Sequence, residues 1–131
     1  KITATDIDET ILAKAKKGVF SSTEIKNVDD ENRKQYFTEE ESVFYLADQI
    51  KTKVAFKKHD LIGDRFGKEY HVIVCRNVTI YFKNEVKEEL YQKFSDALVP
   101  GGLFFTGATE TIYNPEKYGF IKRASFIYEK I

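Results

Sequence analysis

An apolar run in the middle of the chain is interrupted by three residues with polar side chains. Residues 72–82 read VIVCRNVTIYF, in which Cys75, Arg76 and Asn77 separate two blocks of branched and aromatic residues. A continuous apolar run rich in β-branched residues is typical of a strand buried on both faces. We therefore predict a buried strand over residues 70–74 that ends where the three polar side chains begin.

Strand and helix patterns alternate along the chain, which favours an α/β domain with a mostly parallel sheet and right-handed crossovers. Asp8 is the predicted N-cap of a first helix, which should end at Gly18. Asn84 is the predicted N-cap of a second helix, which should extend through Leu98. Further strands are predicted over residues 1–7, 42–47, 53–57, 103–106, 118–121 and 125–128.

Length and composition exclude several classes of protein. The 131 residues suffice for one domain, and the 21 basic and 21 acidic side chains cancel, so the basic surface of a nucleic-acid binder is not expected. A single cysteine excludes an internal disulfide, and only two histidines accompany it, which leaves too few ligands for a structural zinc site. No apolar run reaches the length of about 18 residues that a membrane span needs. We expect a soluble cytoplasmic protein without a metal.

Acidic and polar residues follow several of the predicted strands. In parallel α/β sheets ligands bind at the carboxyl ends of the strands, so Asp6, Asp60 and the trio at 75–77 can share one rim. Asp6 could accept hydrogen bonds from ribose hydroxyls, or it could merely help to cap the following helix. Asp60 could accept from an adenine amine while Leu61 packs on the ring, or it could simply begin a turn.

The side chains around the interruption also admit structural interpretations. Arg76 could form a structural ion pair with a neighbouring carboxylate instead of contacting a ligand. Cys75 is better explained as a small packed thiol than as a nucleophile, because His59 and His71 belong to no recognisable catalytic signature. Tyr81 could be a core aromatic, but a buried hydroxyl needs a partner, which a ligand or substrate could supply.

Five segments and a closing tyrosine, spread over nearly the whole chain, occur in an order shared with one enzyme family. They are ATDIDETILAKAKKGVF at 4–20, QYF at 35–37, KKHDL at 57–61, VIVCRNVTIYF at 72–82, LVPGGLFFTGATE at 98–110, and Tyr128. The set resembles the catalytic domain of the chemotaxis receptor glutamate methyltransferases, the CheR family, and CRNV-x-IYF is its most specific element.

The resemblance implies a fold, a cofactor and a reaction. The fold is a Rossmann-like class I S-adenosylmethionine methyltransferase sheet with a small antiparallel β subdomain, expected at residues 37–58, for receptor docking. The reaction is methylation of glutamate side chains on the cytoplasmic domains of chemoreceptors, which yields glutamate methyl esters and S-adenosylhomocysteine. A non-catalytic binding module of the same shape is the alternative.

The resemblance also assigns roles to individual positions. It implies that Asp6 binds the ribose and that Asp60 and Leu61 bind the adenine, although family members often have asparagine where Asp60 stands. Cys75, Arg76 and Asn77 are expected to complete the cofactor site, as a set at the end of the central strand.

The expected methyl-transfer centre lies beside that set. Asn77 and Tyr81 would face it, and Arg76 or Tyr81 is expected to orient the incoming carboxylate.

Two departures from the family pattern modify these expectations. The strand and glycine-containing turn that bind the methionine part of the cofactor have no counterpart, so we expect a carboxyl-terminal fragment that lacks the first strand of the sheet. Such a fragment should be inactive alone and could dimerise through exposed sheet edges. The loops at 38–42 and 47–52 are short and free of glycine. This resembles members that need no pentapeptide tether, so we expect direct recognition of receptor helices.

Overall fold

The computed structural model describes all 131 residues, which divide into two compact units, residues 1–60 and 61–131. The first unit contains, in chain order, β1 (Ile2–Asp6), α1 (Glu9–Lys17), β2 (Val19–Ser21), α2 (Asp30–Tyr36), β3 (Phe37–Glu40), β4 (Val43–Leu46), α3 (Asp48–Lys51) and β5 (Val54–Lys58). The alternation of strands and helices confirms the predicted α/β class. None of the helices in the chain has the length and apolar character needed to cross a lipid bilayer.

Two small sheets organise the first unit. β1 and β5 pair in parallel, with Asp6 opposite Lys58 at their carboxyl ends. β2, β4 and β3 form a three-stranded antiparallel sheet with β4 in the centre. An antiparallel sheet is therefore present, but its limits differ from the predicted segment 37–58. β2 joins it as a third strand, whereas β5 pairs with β1 and lies in the other sheet.

The first helix begins and ends at the predicted residues. The Asp8 side chain accepts hydrogen bonds from the backbone N–H groups of Thr10, at 2.8 Å, and Ile11, at 3.4 Å. Gly18 ends the helix in the left-handed conformation, with φ at 64°. A side chain there would also meet Lys51, because a Cβ on Gly18 would lie 2.7 Å from the Lys51 side chain. The left-handed backbone angle therefore favours glycine, whereas the flexible Lys51 side chain could move away from a Cβ.

The second unit contains a four-stranded mixed sheet and one long helix. Its elements are β6 (Tyr70–Cys75), a 3₁₀ turn (Thr79–Tyr81), α4 (Asn84–Ala97), β7 (Leu98–Thr106), a second 3₁₀ turn (Pro115–Tyr118), β8 (Phe120–Ala124) and β9 (Ile127–Lys130). The strand order is β6-β7-β9-β8, in which β6 and β7 are parallel and the remaining pairs are antiparallel. The prediction of a mostly parallel sheet was therefore wrong for this unit, because β8 and β9 form an antiparallel hairpin that pairs with β7.

An aromatic core holds α4 against this sheet. Phe94 on the helix and Phe104 on β7 have ring centroids 4.8 Å apart, and Phe120 on β8 lies 5.7 Å from Phe104. Phe104, Phe120 and Tyr128 are almost completely buried. Burial of such large rings contributes most of the hydrophobic stabilisation of a unit of this size, so β7, β8 and β9 are each anchored by a buried ring.

The prediction that β6 is buried on both faces was wrong. Val72 and Val74 are 56% and 62% exposed, and only Cys75 of the strand is fully buried. β6 lies at the edge of its sheet, with β7 as its partner. The apolar run indicated a strand correctly, but burial depends on what covers each face, which the local sequence does not encode.

The boundaries of other elements also differ from the predictions. Lys83 is the N-cap of α4 and makes no side-chain capping bond, so Asn84 is the first helical residue and not the cap. β7 begins at Leu98 and includes the Pro-Gly-Gly sequence at 100–102. The predictions had placed these residues between the end of the helix at Leu98 and the start of the strand at residue 103. Tyr118 ends a 3₁₀ turn, and β8 starts two residues later.

Replacing Asp8 by alanine should destabilise the start of α1, because the first helical N–H groups lose their acceptor. The expected loss is about 1 kcal/mol in the free energy of unfolding. Urea denaturation measures this loss, and amide hydrogen exchange should show faster exchange at Thr10. Asp8→Asn is the matched control, since it keeps a side-chain oxygen, and it should retain most of the stability; equal losses in the two variants would contradict the capping role.

Candidate functional site

Asp6 lies at the carboxyl end of β1 with a half-buried side chain. Its Oδ1 accepts a hydrogen bond from the Asp8 backbone N–H at 2.9 Å. The Asp6 backbone carbonyl accepts from the His59 N–H at 3.0 Å, which holds the ends of β1 and β5 together. Capping of the following helix is the role of Asp8, while Asp6 orders the residues between strand and helix.

Asp60 and Leu61 follow the end of β5. Asp60 is half-buried, and Leu61 is partly buried against the aromatic core of the second unit. Lys93 on α4 donates hydrogen bonds to the carbonyl oxygens of Leu61, at 3.4 Å, and Ile62, at 3.0 Å. The long helix therefore fixes the backbone at Leu61 and Ile62.

Cys75 ends β6 opposite Thr106 of β7. The side chain is 9% exposed, and burial, reinforced by the negative charge of Glu110, raises the pKa of the Cys75 thiol to about 11. A thiol with this pKa is protonated at neutral pH. Its environment agrees with a packed side chain and is unsuitable for a nucleophile.

Arg76 lies across the end of β7. Its Nε donates a hydrogen bond to the Thr106 carbonyl oxygen at 3.2 Å, and its guanidinium carbon lies 4.9 Å from the centroid of the Phe105 ring. Arg76 therefore does not form the ion pair with a carboxylate that the sequence suggested. Its guanidinium contacts the Thr106 carbonyl and the face of the Phe105 ring instead. Both contacts hold the guanidinium at the carboxyl end of the β6–β7 pair.

The segment after Arg76 turns sharply and exposes an aromatic ring. Asn77 has a φ of 60°, in the left-handed region that asparagine tolerates better than most residues. Tyr81 is 80% exposed, so it is not a core aromatic, whereas Phe82 packs against the core. Asn77 and Tyr81 thus lie on either side of the buried Thr79, in a turn anchored to the sheet.

Glu110 is the residue of this region that sequence reasoning missed. It is only 5% exposed, and its Oε1 accepts hydrogen bonds from the backbone N–H groups of Asn77 and, at 3.0 Å, of Gly107. Its Oε2 accepts from the Thr79 backbone N–H at 2.9 Å and from the Thr79 hydroxyl. Little in the sequence indicated this role, because acidic residues are common in the loops that follow strands.

The pKa of Glu110 reflects two opposing effects. Burial alone would raise the pKa, but hydrogen bonds from the Thr79 hydroxyl and from the backbone of Asn77, Thr79 and Gly107 outweigh it, so the net shift is downward. Glu110 is therefore a carboxylate at neutral pH. The negative charge and the donors around it stabilise each other.

Within each unit the structure brings predicted site residues to one edge. Asp6 lies beside the end of β5, from which the chain continues to Asp60. In the other unit Cys75 and its two successors lie beside the end of β7. The wider prediction that all of these positions share a single rim stays a prediction.

The chain resembles chemotaxis methyltransferases in sequence. It matches the family model described as CheR methyltransferase, SAM binding domain, over residues 1–127. It is 37% identical over 129 residues to the chemotaxis protein methyltransferase of Listeria innocua, an alignment that covers 98% of this chain and 49% of the relative. The Escherichia coli chemotaxis protein methyltransferase is 29% identical over 134 residues, which cover 98% of this chain and 46% of that one. The chain spans about half the length of these curated relatives.

Solved structures share the fold at low sequence identity. A possible exported protein of Bordetella parapertussis superposes with a TM-score of 0.62 and 15% identity over 99% of this chain and 53% of its own. A TehB-like SAM-dependent methyltransferase of Corynebacterium glutamicum gives a TM-score of 0.55 and 14% identity over 98% of this chain and 65% of its own. These similarities confirm the α/β fold, and the family match over residues 1–127 identifies it as that of a methyltransferase domain.

Replacing Glu110 by glutamine should destabilise the second unit in a pH-dependent way. At pH 7 one acceptor oxygen becomes an NH₂ donor facing buried donors, at a cost of about 1–3 kcal/mol in the free energy of unfolding. Because the folded pKa lies below the unfolded value of about 4.3, the stabilisation is complete well above that value and is lost as the pH falls through the folded pKa. The difference between variant and wild type should therefore shrink in acid.

Urea unfolding followed by circular dichroism between about pH 7 and pH 3 measures this difference, over the range in which carboxylates titrate. Glu89→Gln is the control, because Glu89 is an exposed carboxylate on α4, and it should change stability little at any pH. A difference between Glu110→Gln and wild type that stays constant with pH would contradict an ionised Glu110.

Proposed function

Because the chain belongs to the CheR methyltransferase family, which its match over residues 1–127 shows, we propose that it binds S-adenosylmethionine and forms part of a methyltransferase of chemotaxis. The match to the S-adenosylmethionine-binding domain model over nearly the whole chain is the observation that carries this proposal. The proposed reaction is transfer of a methyl group to glutamate side chains on the cytoplasmic domains of chemoreceptors.

The polar groups of the first unit suit the nucleoside part of the cofactor. Asp6 is a half-buried carboxylate at the carboxyl end of a parallel strand, the position from which carboxylates accept hydrogen bonds from ribose hydroxyls in this class of fold. Asp60 is proposed to accept from the adenine amine. Leu61, whose backbone Lys93 fixes, is proposed to supply an apolar contact for the ring.

The end of β6 is proposed to complete the cofactor site. Cys75 contributes as a small packed group, since its thiol is buried and protonated. Arg76 provides a guanidinium that is anchored to the Thr106 carbonyl, and Asn77 provides a side-chain amide on a backbone that is anchored to Glu110. A site held by such anchors needs little rearrangement when the ligand binds.

The chemistry requires orientation more than proton transfer. S-adenosylmethionine supplies a methyl group that its sulfonium already activates. A glutamate acceptor is ionised at neutral pH, since its reference pKa is about 4.3, so the protein needs no general base. Arg76 or Tyr81 is proposed to orient the incoming carboxylate, and the high exposure of Tyr81 suits contact with a protein substrate. Alignment and exclusion of water then lower the barrier.

The antiparallel sheet of the first unit is proposed to contact receptor helices directly, without a pentapeptide tether. The turn between β3 and β4 consists of Glu41 and Ser42, both with positive φ, of 51° and 63°. Two such residues make the tight turn of a short hairpin, which leaves no extended loop to grip a tether. The protein is proposed to act in the cytoplasm, where the receptor signalling domains lie.

The isolated chain is also proposed to associate through exposed strand edges. β1 and β6 each lie at an edge of their sheets, and unpaired edges are templates for pairing with another copy.

Calorimetric titration with S-adenosylhomocysteine tests the cofactor site. We expect binding by the full-length gene product that carries this chain, and weaker or no binding by residues 1–131 alone. Asp6→Ala should raise the dissociation constant about tenfold or more, because hydrogen bonds to a charged acceptor are lost. Asp30→Ala, which removes an exposed carboxylate on α2, should have little effect. Absence of binding by both chains would favour the non-catalytic module.

A second experiment tests the tether-independent mode of recognition. A synthetic pentapeptide from a receptor carboxyl terminus should show no binding at micromolar concentration, because the β3–β4 turn is too short to hold it. Intact receptor cytoplasmic domains should gain base-labile methyl esters on glutamate when mixed with the full-length gene product and S-adenosylmethionine. Micromolar binding of the isolated pentapeptide would contradict direct recognition of helices.

A further inference from the structure

The turn that follows β6 is held by a carboxylate from a distant part of the second unit. The backbone N–H groups of Asn77 and Thr79 converge on Glu110, which lies 33 and 31 residues further along the chain. The Gly107 N–H and the Thr79 hydroxyl converge on the same carboxylate. Four donors therefore meet two oxygens, an arrangement that suits an ionised carboxylate because this group only accepts hydrogen bonds.

The backbone of the turn needs such an anchor. Asn77 has a left-handed φ of 60°, which is unfavourable for a residue with a Cβ, although less so for asparagine. Unfavourable backbone angles persist where the surroundings fix them. The bond from the Asn77 N–H to Glu110 fixes this residue, and the bond from Arg76 to Thr106 fixes its neighbour.

The junction between the turn and the end of β7 is also too tight for a side chain at position 107. A Cβ on Gly107 would lie 2.9 Å from the Asn77 backbone nitrogen and would overlap the Glu110 carboxylate. The turn after β6 and the loop after β7 can therefore meet only with glycine between them. Gly107 and Glu110 thus contribute in different ways to one geometry, the first by leaving space and the second by accepting hydrogen bonds.

We propose that Glu110 is a positioning residue for the cofactor site. It holds the segment 76–81 in the conformation that presents Asn77 and Tyr81 to the ligand, and this role rests on the proposed function. Glu110 is 5% exposed and both of its oxygens accept hydrogen bonds from the chain itself, so it acts through Asn77 and Thr79 without touching the ligand.

Binding of S-adenosylhomocysteine by four forms of the full-length gene product tests this role. Glu110→Gln removes the negative charge of this side chain. Gly107→Ala separates the turn after β6 from the loop after β7 but leaves the charge of Glu110 in place. Both should raise the dissociation constant about tenfold or more. Phe120→Leu, in the aromatic core, is the control for general destabilisation, and it should change the dissociation constant less than about twofold at a similar loss of thermal stability.

Two further readouts separate positioning from other effects. Amide NMR signals of Asn77 and Thr79 should move in both junction variants and stay in place in Phe120→Leu. The loss of affinity should be equal for S-adenosylmethionine, which carries a positive sulfonium, and for S-adenosylhomocysteine, which has an uncharged thioether. A loss confined to the charged cofactor would overturn the positioning role, because it would show that the charge of Glu110 acts directly.

The remaining outcomes distinguish the failure of this inference from that of the proposed function. Unchanged affinity in both junction variants, with normal binding by the wild type, overturns the positioning role alone. Absence of binding by the wild type overturns the proposed function, and the positioning role with it.

Discussion

Parallel pairing of β6 with β7 is the constraint on which the geometry of the second unit depends. Because the two strands run in the same direction, Cys75 lies opposite Thr106 and both chains leave the sheet at one edge. Arg76 can then reach the Thr106 carbonyl, and Glu110 can reach the backbone of Asn77. In an antiparallel pair these groups would lie at opposite edges, and the polar cluster could not form. The aromatic core under β7 keeps the strand in place.

Features governed by neighbouring residues were predictable from the sequence. Asp8 caps α1 and Gly18 ends it, because both effects depend on side chains and backbone angles within one helical turn. The strand before Cys75 was also found, since its apolar run is a local signal. Arg76 and Asn77 follow this strand directly as predicted, whereas Cys75, which was expected to follow it, is its last residue. The CRNV-x-IYF element led to the correct family.

Features that depend on distant residues were not predictable in the same way. Burial of β6 was overestimated because the sequence does not show what covers each face of a strand. The limits of the small antiparallel sheet were wrong because β2, for which no strand was predicted, pairs with β4 more than twenty residues further along the chain. Glu110 was missed because three of its four donors are backbone N–H groups, and any residue type except proline can supply these. Its importance became visible only when the two strand ends were placed side by side.

Burial of Cys75 has a consequence for how the protein meets oxidative stress. Peroxides and disulfides react with the thiolate form of cysteine, and their attack also requires access to the sulfur. The only cysteine of the chain has neither property, since its thiol is buried and its pKa is about 11. Within these 131 residues, redox signals therefore find no cysteine thiolate that they could modify.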